Sequence, residues 1–484
     1  MGEAVTAPRT VTPASAGWAL ATLSLATLLS SLGTSIANVA LPTLAEAFGA
    51  SFQQVQWIVL AYLLAITSLI VSVGRLGDIV GRGRLLLGGV LLFTLASILC
   101  AFAPTLGLLI GARAAQGFGA AIMMALSMAL VGEIVPREKT GHAMGLLGTM
   151  SAVGTCLGPS LGGVLIAGIG WPGIFLVSVP LGAIAMLLVH RHIPADARSR
   201  PTRFSDFDFT GTLLLVLALV AYALAMTVGR GHFGTANLLL LAAAIVTTAL
   251  FLFAESRAKS PLIRLTMFHD KVLSAGLSMS LLVMTVMMAT LVVGPFYLSN
   301  ALHLDPLRVG AVMSVGPLVA AFAGVPAGRM VDRLGADAMA LVGLILTAIG
   351  CILLAVLPWQ LGLVAYIGPL ATLTAGYALF QAANNTAVMK NVVADQRGLV
   401  SGLLNLSRNL GLVTGAAFMG AIFALAAGAT DVSVAGAQAT ASGMRVTFGI
   451  GAVLIAIAMA IVGGRLWQRK EWLPELDSNQ RPSD

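Results

Sequence analysis

Between Trp18 and Arg465 the chain leaves almost no room for water. Apolar runs of about twenty residues follow one another, and each is long enough to cross the hydrocarbon of a bilayer as a helix. Fourteen such runs are read, at 18–42, 55–76, 85–103, 106–131, 143–167, 171–190, 209–228, 235–254, 272–298, 307–328, 338–357, 361–388, 399–426 and 446–465. The breaks are turn-like: Phe48-Gly49-Ala50-Ser51, Pro136-Arg137-Glu138, Gly170-Trp171-Pro172 and Leu357-Pro358-Trp359. Hydrophobic residues make up 58% of the chain and charged residues 10%. A soluble chain carries about 25% charged residues. With 484 residues this apolar, the solvent must be lipid. The expected fold class is an all-α polytopic membrane protein, and the even count places both termini on one side.

Lys and Arg set the orientation. With the N-terminus inside, the inner loops hold Arg75, Arg82, Arg84, Arg137, Lys139, Arg191, Arg198, Arg200, Arg203, Arg257, Lys259, Arg264, Lys271, Arg329, Arg333, Lys390 and Arg397. Arg465, Arg469 and Lys470 join them in the tail, while the outer loops hold Arg230, Arg308 and Arg445. The bias is about sevenfold, which puts both termini in the cytoplasm of a cell inner (plasma) membrane. The net charge of +8 lies in short clusters between apolar runs, so nucleic acid is not an expected partner. Cys100, Cys156 and Cys351 all sit inside apolar runs without paired spacing, so neither a disulfide nor a metal site is expected. No cofactor is expected. Residues 1–17 precede a run too long for a signal-peptide core, which makes that run the first membrane helix.

The chain is also duplicated. Residues 74–84 read Gly-Arg-Leu-Gly-Asp-Ile-Val-Gly-Arg-Gly-Arg, and 254 positions later residues 328–335 read Gly-Arg-Met-Val-Asp-Arg-Leu-Gly. Each is a short basic–acidic loop between two apolar runs on the inner side. Gly141-His142-Ala143-Met144-Gly145 likewise matches Gly398-Leu399-Val400-Ser401-Gly402. Duplicated helical halves are the architecture of secondary transporters. The expected organisation is a cytoplasmic N-terminal tail (1–17), a six-helix bundle (18–190), a linker with two inserted membrane helices (191–271), a second six-helix bundle (272–465) and a disordered cytoplasmic tail (466–484).

On three motifs the chain resembles the major facilitator superfamily, specifically its fourteen-helix drug–proton antiporter branch. The loop after the second helix is similar to the family's first motif, with Gly74, Leu76, Asp78, Gly81 and Arg82 in place and departures at Ile79 and Gly83. Arg113-Ala114-Ala115-Gln116-Gly117-Phe118-Gly119 resembles the second. Gly154-Thr155-Cys156-Leu157-Gly158-Pro159-Ser160-Leu161-Gly162-Gly163 resembles the antiporter motif. The resemblance covers about residues 18–465. It implies a rocker-switch carrier that moves small organic molecules, often outward, against a proton flow. It also implies that the fifth helix meets a helix of the opposite half. Expected partners are a small organic substrate, protons and the lipid bilayer, with the chain acting as a monomer.

Several residues carry competing readings. Asp78, Arg82 and Glu133, with Gly74 and Gly81 shaping the loop, form either a charge latch that breaks as the carrier turns or ordinary interfacial charge. Arg329, Asp332 and Arg333 are the weaker counterpart. Arg113 lies in a helix otherwise free of charge, where a guanidinium costs about 2.5–3.5 kcal/mol on insertion scales. It belongs to a proton pathway, or it is a structural hub or snorkels to the interface. Gly154, Gly158 and Gly162 form a small-residue face, with Pro159 and Gly163 beside it, that either slides as a gate or packs statically. Asn405, Arg408 and Asn409 share one helix face, which binds cargo or seams two helices. Further cavity candidates are Asn38, Gln56, Trp57, Tyr62, Tyr297, Gln381, Asn384 and Asn385, because polar groups in lipid need partners.

One expected group is missing. Many members of the branch carry an acid on the first helix shortly before Asn38-Val39-Ala40-Leu41-Pro42, and Gly33 stands in its place. No Asp or Glu falls near the middle of any run. Coupling must then run through a terminal acid, His303 or the cargo, or be absent. Neutral, hydrophobic or weakly anionic cargo fits better than cationic drugs. A membrane sensor on a carrier scaffold stays open. A membrane enzyme is disfavoured, since no nucleotide loop, metal spacing or nucleophile set appears and the loops are too short for a catalytic domain.

Overall fold

The computed structural model describes residues 13–70, 72–135, 140–193, 208–228, 234–257, 265–390, 392, 397–428 and 435–471. In hydrocarbon each backbone N–H and C=O must find its partner within the segment, and the described chain is accordingly helical, with no strand. The helices are α1 (Pro13–Val39), α2 (Leu41–Phe48), α3 (Phe52–Leu69), α4 (Ser72–Val80), α5 (Arg82–Ala101), α6 (Leu106–Ile134), α7 (Thr140–Ile169), α8 (Gly173–Leu176), α9 (Ser178–His192), α10 (Phe209–Thr227) and α11 (Thr235–Arg257). The second half continues with α12 (Lys271–Phe296), α13 (Pro306–Met313), α14 (Val315–Leu334), α15 (Ala336–Val356), α16 (Val364–Met389), α17 (Arg397–Thr414), α18 (Gly420–Ala427) and α19 (Ala437–Glu471). Single π-turns at Tyr297–Ala301 and Gly415–Met419 prolong α12 and join α17 to α18.

Thirteen described helical segments are long and apolar enough to cross a membrane. The protein is a multi-pass membrane protein. α16 is not among the thirteen, although its 26 residues would suffice in length. Gln381, Asn384 and Asn385 dilute its apolarity, yet it stands where the twelfth run was expected and packs against α12, α14 and α15. α19 runs on to Glu471, so the first residues of the expected tail at 466–484 are helical.

Hydroxyls inside the spans rarely need outside partners. Thr27 donates to Leu23 O, Ser30 to Ala26 O, Thr94 to Val90 O and Thr347 to Gly343 O, each one turn back along its own helix. Helix starts are capped by short acids: Asp208 accepts from Gly211 N–H at 2.7 Å, Asp270 from Val272 N–H at 2.8 Å and Asp305 from Arg308 N–H at 3.0 Å.

The duplication is present in the backbone itself. Gly81 (φ 97°, ψ 122°) precedes α5 and Gly335 (φ 89°, ψ 148°) precedes α15, the same conformation 254 positions apart. Helix pairs repeat too. α5 crosses α6 with Gly119 against Gly89 O, and α15 crosses α16 with Gly376 against Gly343 O. The α10–α11 hairpin has no counterpart. Asn237 ties its turn by donating to Ala225 O and Val228 O. α10 lies on α3 and on the 415–419 turn, held by Ser72–Thr212 (2.8 Å) and by Trp57 Nε1 donating to Thr227 Oγ1 (3.1 Å).

The apolar core is divided unequally between the two ends of the molecule. One continuous core runs the length of the second bundle and takes in the first bundle's residues at the end far from Gly81, where Phe52 of α3 is edge-on to Phe296 (4.8 Å) and Phe423 (5.4 Å). At the Gly81 end, the first bundle has a separate core of its own residues alone, including Leu23, Ile66, Leu86, Leu126 and Leu147.

The backbone of Gly335 lies in a region that side-chain-bearing residues avoid at a cost of about 1–3 kcal/mol. Gly335→Ala is expected to lower the thermal midpoint of purified protein by that strain alone, since a Cβ there meets nothing within 4 Å. Gly328→Ala, helical and equally open, should leave the midpoint in place. Equal midpoints would refute the strain.

Candidate transport pathway

Arg113 is fully buried in α6, and its charge is met without a carboxylate. Its Nε donates to Ile58 O (3.0 Å), Nη2 to Gly33 O (3.1 Å) and Nη1 to Gln116 Oε1. Gln116 passes the network on to Ser97 Oγ at 2.7 Å. The guanidinium lies 4.1 Å from the centroid of the Tyr62 ring, a cation–π distance, and Tyr62 Oη donates to Ser30 O at 2.7 Å. Arg113 therefore ties α6 to α1 and α3 through backbone carbonyls. Gly33 is built into this arrangement. A Cβ there would come within 2.9 Å of Tyr62 Oη and 3.2 Å of the Phe93 ring, so a side chain at this position would have to displace the rings that enclose Arg113. Gln116 was read only as part of the second motif and Ser97 not at all, although Gln116 lies one turn from Arg113.

Gly154, Gly158 and Gly162 meet α1 of their own bundle, and the expected meeting of this helix with the opposite half falls instead on Pro159 and Gly163 beside them. A Cβ on Gly154 would strike Leu28 O, one on Gly158 Ser35 Oγ, and one on Gly162 Val39, all on α1. The spacing of four suits close approach of any helix, and the partner proves to be a neighbour in the same bundle. The second bundle repeats the seam 253 positions later. Ser407 donates to Leu277 O at 2.6 Å, Gly411 lies against Leu281 O and Gly415 against Thr285 O, all on α12.

Contact between bundles falls on the next position of each seam. Gly163 lies against Gly310 of α13, whose own Cβ position is 2.4 Å from Pro159 O and 2.9 Å from Gly163 Cα. The mirrored pair is Ala416 and Gln56. Gln56 Nε2 donates to Ala416 O within the π-turn, and Gln56 also lies hard against Gly420. Ser51-Phe52 open α3 as Asp305-Pro306 open α13, so Gln56 and Gly310 are equivalent positions. One crossing is thus bare backbone, the other a buried amide bond. Both lie at the far end. Gly310 was not singled out from sequence. Its signal was its register with Gln56.

The remaining candidates disperse. Asn38 is buried and donates to Thr34 O and Ser35 O of its own helix. Trp57 serves the hairpin contact and Tyr62 the Arg113 network. Tyr297 is buried and stacks on Tyr366 at 5.7 Å, whose hydroxyl points at Met313 sulfur at 3.7 Å. Asn384 is buried and donates to Gly276 O at 3.1 Å, seaming α16 to α12, while Gln381 is half-buried and Asn385 exposed. Asn405 and Arg408 are half-buried on α17, and Asn405 Nδ2 lies 4.0 Å from Met128 sulfur in the first bundle. His303 is exposed, with φ 53°.

The side chains of Asp78 and Glu133 lie outside the described residues, and so does the expected latch. Arg82 has a partner. Gly74 is helical with open space where a Cβ would go. In the second half Arg329, Asp332 and Arg333 are exposed. The ion pair there is instead Arg465 of α19 with Asp337 of α15, at 3.1 Å with side chains 15% and 14% exposed.

Two helical bundles of repeated design, crossing at glycine-lined contacts, are one half of the identification. Residues 23–416 match the model of the Major Facilitator Superfamily. The chain belongs to this superfamily. It is 30% identical over 371 residues to the riboflavin transporter RibZ of Clostridioides difficile, covering 77% of this chain and 80% of that one. It is 32% identical over 381 residues to the multidrug resistance protein Stp of Mycobacterium tuberculosis (76% and 69%) and 29% identical over 415 to the multidrug efflux pump LfrA of Mycolicibacterium smegmatis (86% and 82%). In fold it is similar to an inward-facing bacterial homologue of the lysosomal transporter Spinster, with TM-score 0.63 at 17% identity over 93% and 96% of the two chains. The xylose transporter XylE of Escherichia coli in a partially occluded inward-open form gives TM-score 0.63 at 12% identity over 92% and 97%. These relatives and fold neighbours are transporters, and the superfamily implies a small-molecule substrate.

The two kinds of glycine contact separate stability from motion. Gly158→Ala is expected to strain one bundle internally, lowering the thermal midpoint by an overpacking cost of about 1–3 kcal/mol. Gly310→Ala collides only with the opposite bundle. It should leave the midpoint in place and make a cysteine at the buried position of Phe296 react faster with a water-soluble maleimide. Equal effects of the two changes on both readouts would contradict this division.

Proposed function

We propose that the protein is a secondary transporter of the fourteen-helix, drug-efflux type, exporting small amphipathic organic compounds across the cell membrane by alternating access. The observation that carries this reading is the pair of mirrored crossings, Gly163–Gly310 and Ala416–Gln56. They join the bundles at one end, while at the other the first bundle keeps a separate core. With the Gly81 and Gly335 loops cytoplasmic, as the basic residues there favour, the joined end is external and the structure is that of a carrier closed to the outside. Relatives named as a multidrug resistance protein and a multidrug efflux pump support export of varied compounds. Asp78, Arg82 and Glu133 are proposed to lock the cytoplasmic end when the outer contacts part.

A second reading, export without proton antiport, is favoured by one observation. Every described acidic residue lies at a helix cap or within three residues of a helix end, and Arg113 takes its compensation from carbonyls where the acid of the first helix would stand.

Cysteines at Gly163 and Gly310 test the transport cycle. Proteoliposomes carrying that variant should lose saturable riboflavin flux on oxidation and regain it on reduction. Riboflavin crossing the cross-linked protein at the uncross-linked rate would overturn alternating access.

A further inference from the structure

The charges set deep within the spans of this protein are lopsided. Arg113 lies eighth in the 29-residue α6, and Arg408 lies about 12 Å along its helix from Val400, where the span begins. Both are well inside the hydrocarbon depth of their helices. Among the described residues no carboxylate lies at comparable depth, since the acids are confined to caps and helix ends. Two like charges in a low-dielectric interior make the space between them favourable for an anion and hostile to a cation.

The two arginines differ in what they have left to give. Arg113 spends Nε, Nη1 and Nη2 on protein acceptors. Arg408 makes no hydrogen bond or ion pair among the described residues, and its Nε is enclosed without a partner. A guanidinium held in protein at this depth with idle donors is costly unless a second anion or acceptor visits it. Its placement faces the right way. Ser407, one residue before, binds α12 of its own bundle, whereas Asn405, on the same helix face as Arg408, reaches Met128 of the opposite bundle. Arg408 lies one turn along from Asn405 on the helix face that meets the first bundle, with Asn409 beside it on the same face.

We infer that Arg408, flanked by Asn405 and Asn409, binds the ionised acid group of the cargo, and that the cargo leaves as an anion driven by the membrane potential. This rests on the transport reading above and deepens it. The cell interior is negative, so the field acts outward on an anion, and export needs no proton entering in exchange. One feature thus accounts for both the idle guanidinium and the missing acid. The planar fork of arginine suits a carboxylate or sulfonate, which it meets through two parallel bonds.

Naphthalene-2-sulfonate, permanently anionic, and naphthalene-2-sulfonamide, its neutral counterpart, are matched probes. Full-length protein in proteoliposomes is held at equal pH on both sides, with a tenfold potassium gradient and valinomycin fixing the potential. A univalent anion should then accumulate about tenfold on the positive side, and a pH gradient at zero potential should move none. Arg408→Gln should slow sulfonate flux at least about tenfold while sulfonamide binding, read by tryptophan quenching, stays within about twofold. That retained binding shows the variant is folded. Arg408→Lys should restore part of the flux.

Sulfonate flux that follows pH and not potential would overturn the inference. So would unchanged sulfonate flux in Arg408→Gln, sulfonamide binding without sulfonate binding, or neither probe binding or moving. Failure of the transport reading would look different, since riboflavin would cross the Gly163–Gly310 cross-linked protein as fast as the free one.

Discussion

The whole arrangement depends on how closely two helix backbones can approach at Gly163 and Gly310. No side chain separates them, and a single methyl on either would sit within 2.7 Å of the other helix. Lipid offers no hydrophobic force to press helices together, so association rests on close van der Waals contact and on hydrogen bonds between helices. The two joints of the far end divide these means between them. Gly163–Gly310 uses contact alone, and Gln56–Ala416 uses an amide bond to a carbonyl in a π-turn. Neither carries a charge, so parting them leaves no buried ion behind. That is what a joint must allow if it is to open and close repeatedly.

Within each bundle the glycines do the opposite job. The Gly154–Gly162 seam on α1 and the Ser407–Gly415 seam on α12 each hold backbones against backbones inside one bundle. Arg113 adds a polar clamp to the first bundle, joining α1, α3 and α6 through carbonyls. In the proposed cycle the deep internal seams keep each bundle together, and the bundles part at the contact that falls one position further along each seam. The inserted hairpin sits across the α3 side of that contact, touching both halves through α10.

Much of this was legible in the residues. Apolar run length gave the spans, because a bilayer fixes how long a helix must be. The repeated loop gave the duplication, and Gly81 and Gly335 adopt one backbone conformation because both loops make the same turn. What a glycine face packs against was not legible, since spacing specifies a close approach without naming the partner. Spacing therefore did not show that Gly158 meets α1 while Gly163, one residue past the seam, meets α13. Tyr62 and Trp57 were read as cavity residues because a polar aromatic in lipid demands a partner, and their partners, Arg113 and Thr227, lie on other helices. α16 shows the converse. Its amides lower the apolarity on which span recognition depends, while Asn384 proves to be satisfied by Gly276 O.

If the bundles move as two rigid bodies hinged about one contact, they cannot be closed or open at both ends together. Spin labels across the far end, on Gln54 and Leu307, and across the Gly81 end, on Arg84 and Asp332, report both distances in the same sample of reconstituted protein. The account predicts two populations, in which a short far-end distance accompanies a long one at the Gly81 end and the reverse. A far-end distance that lengthens with no change at the Gly81 end would contradict it.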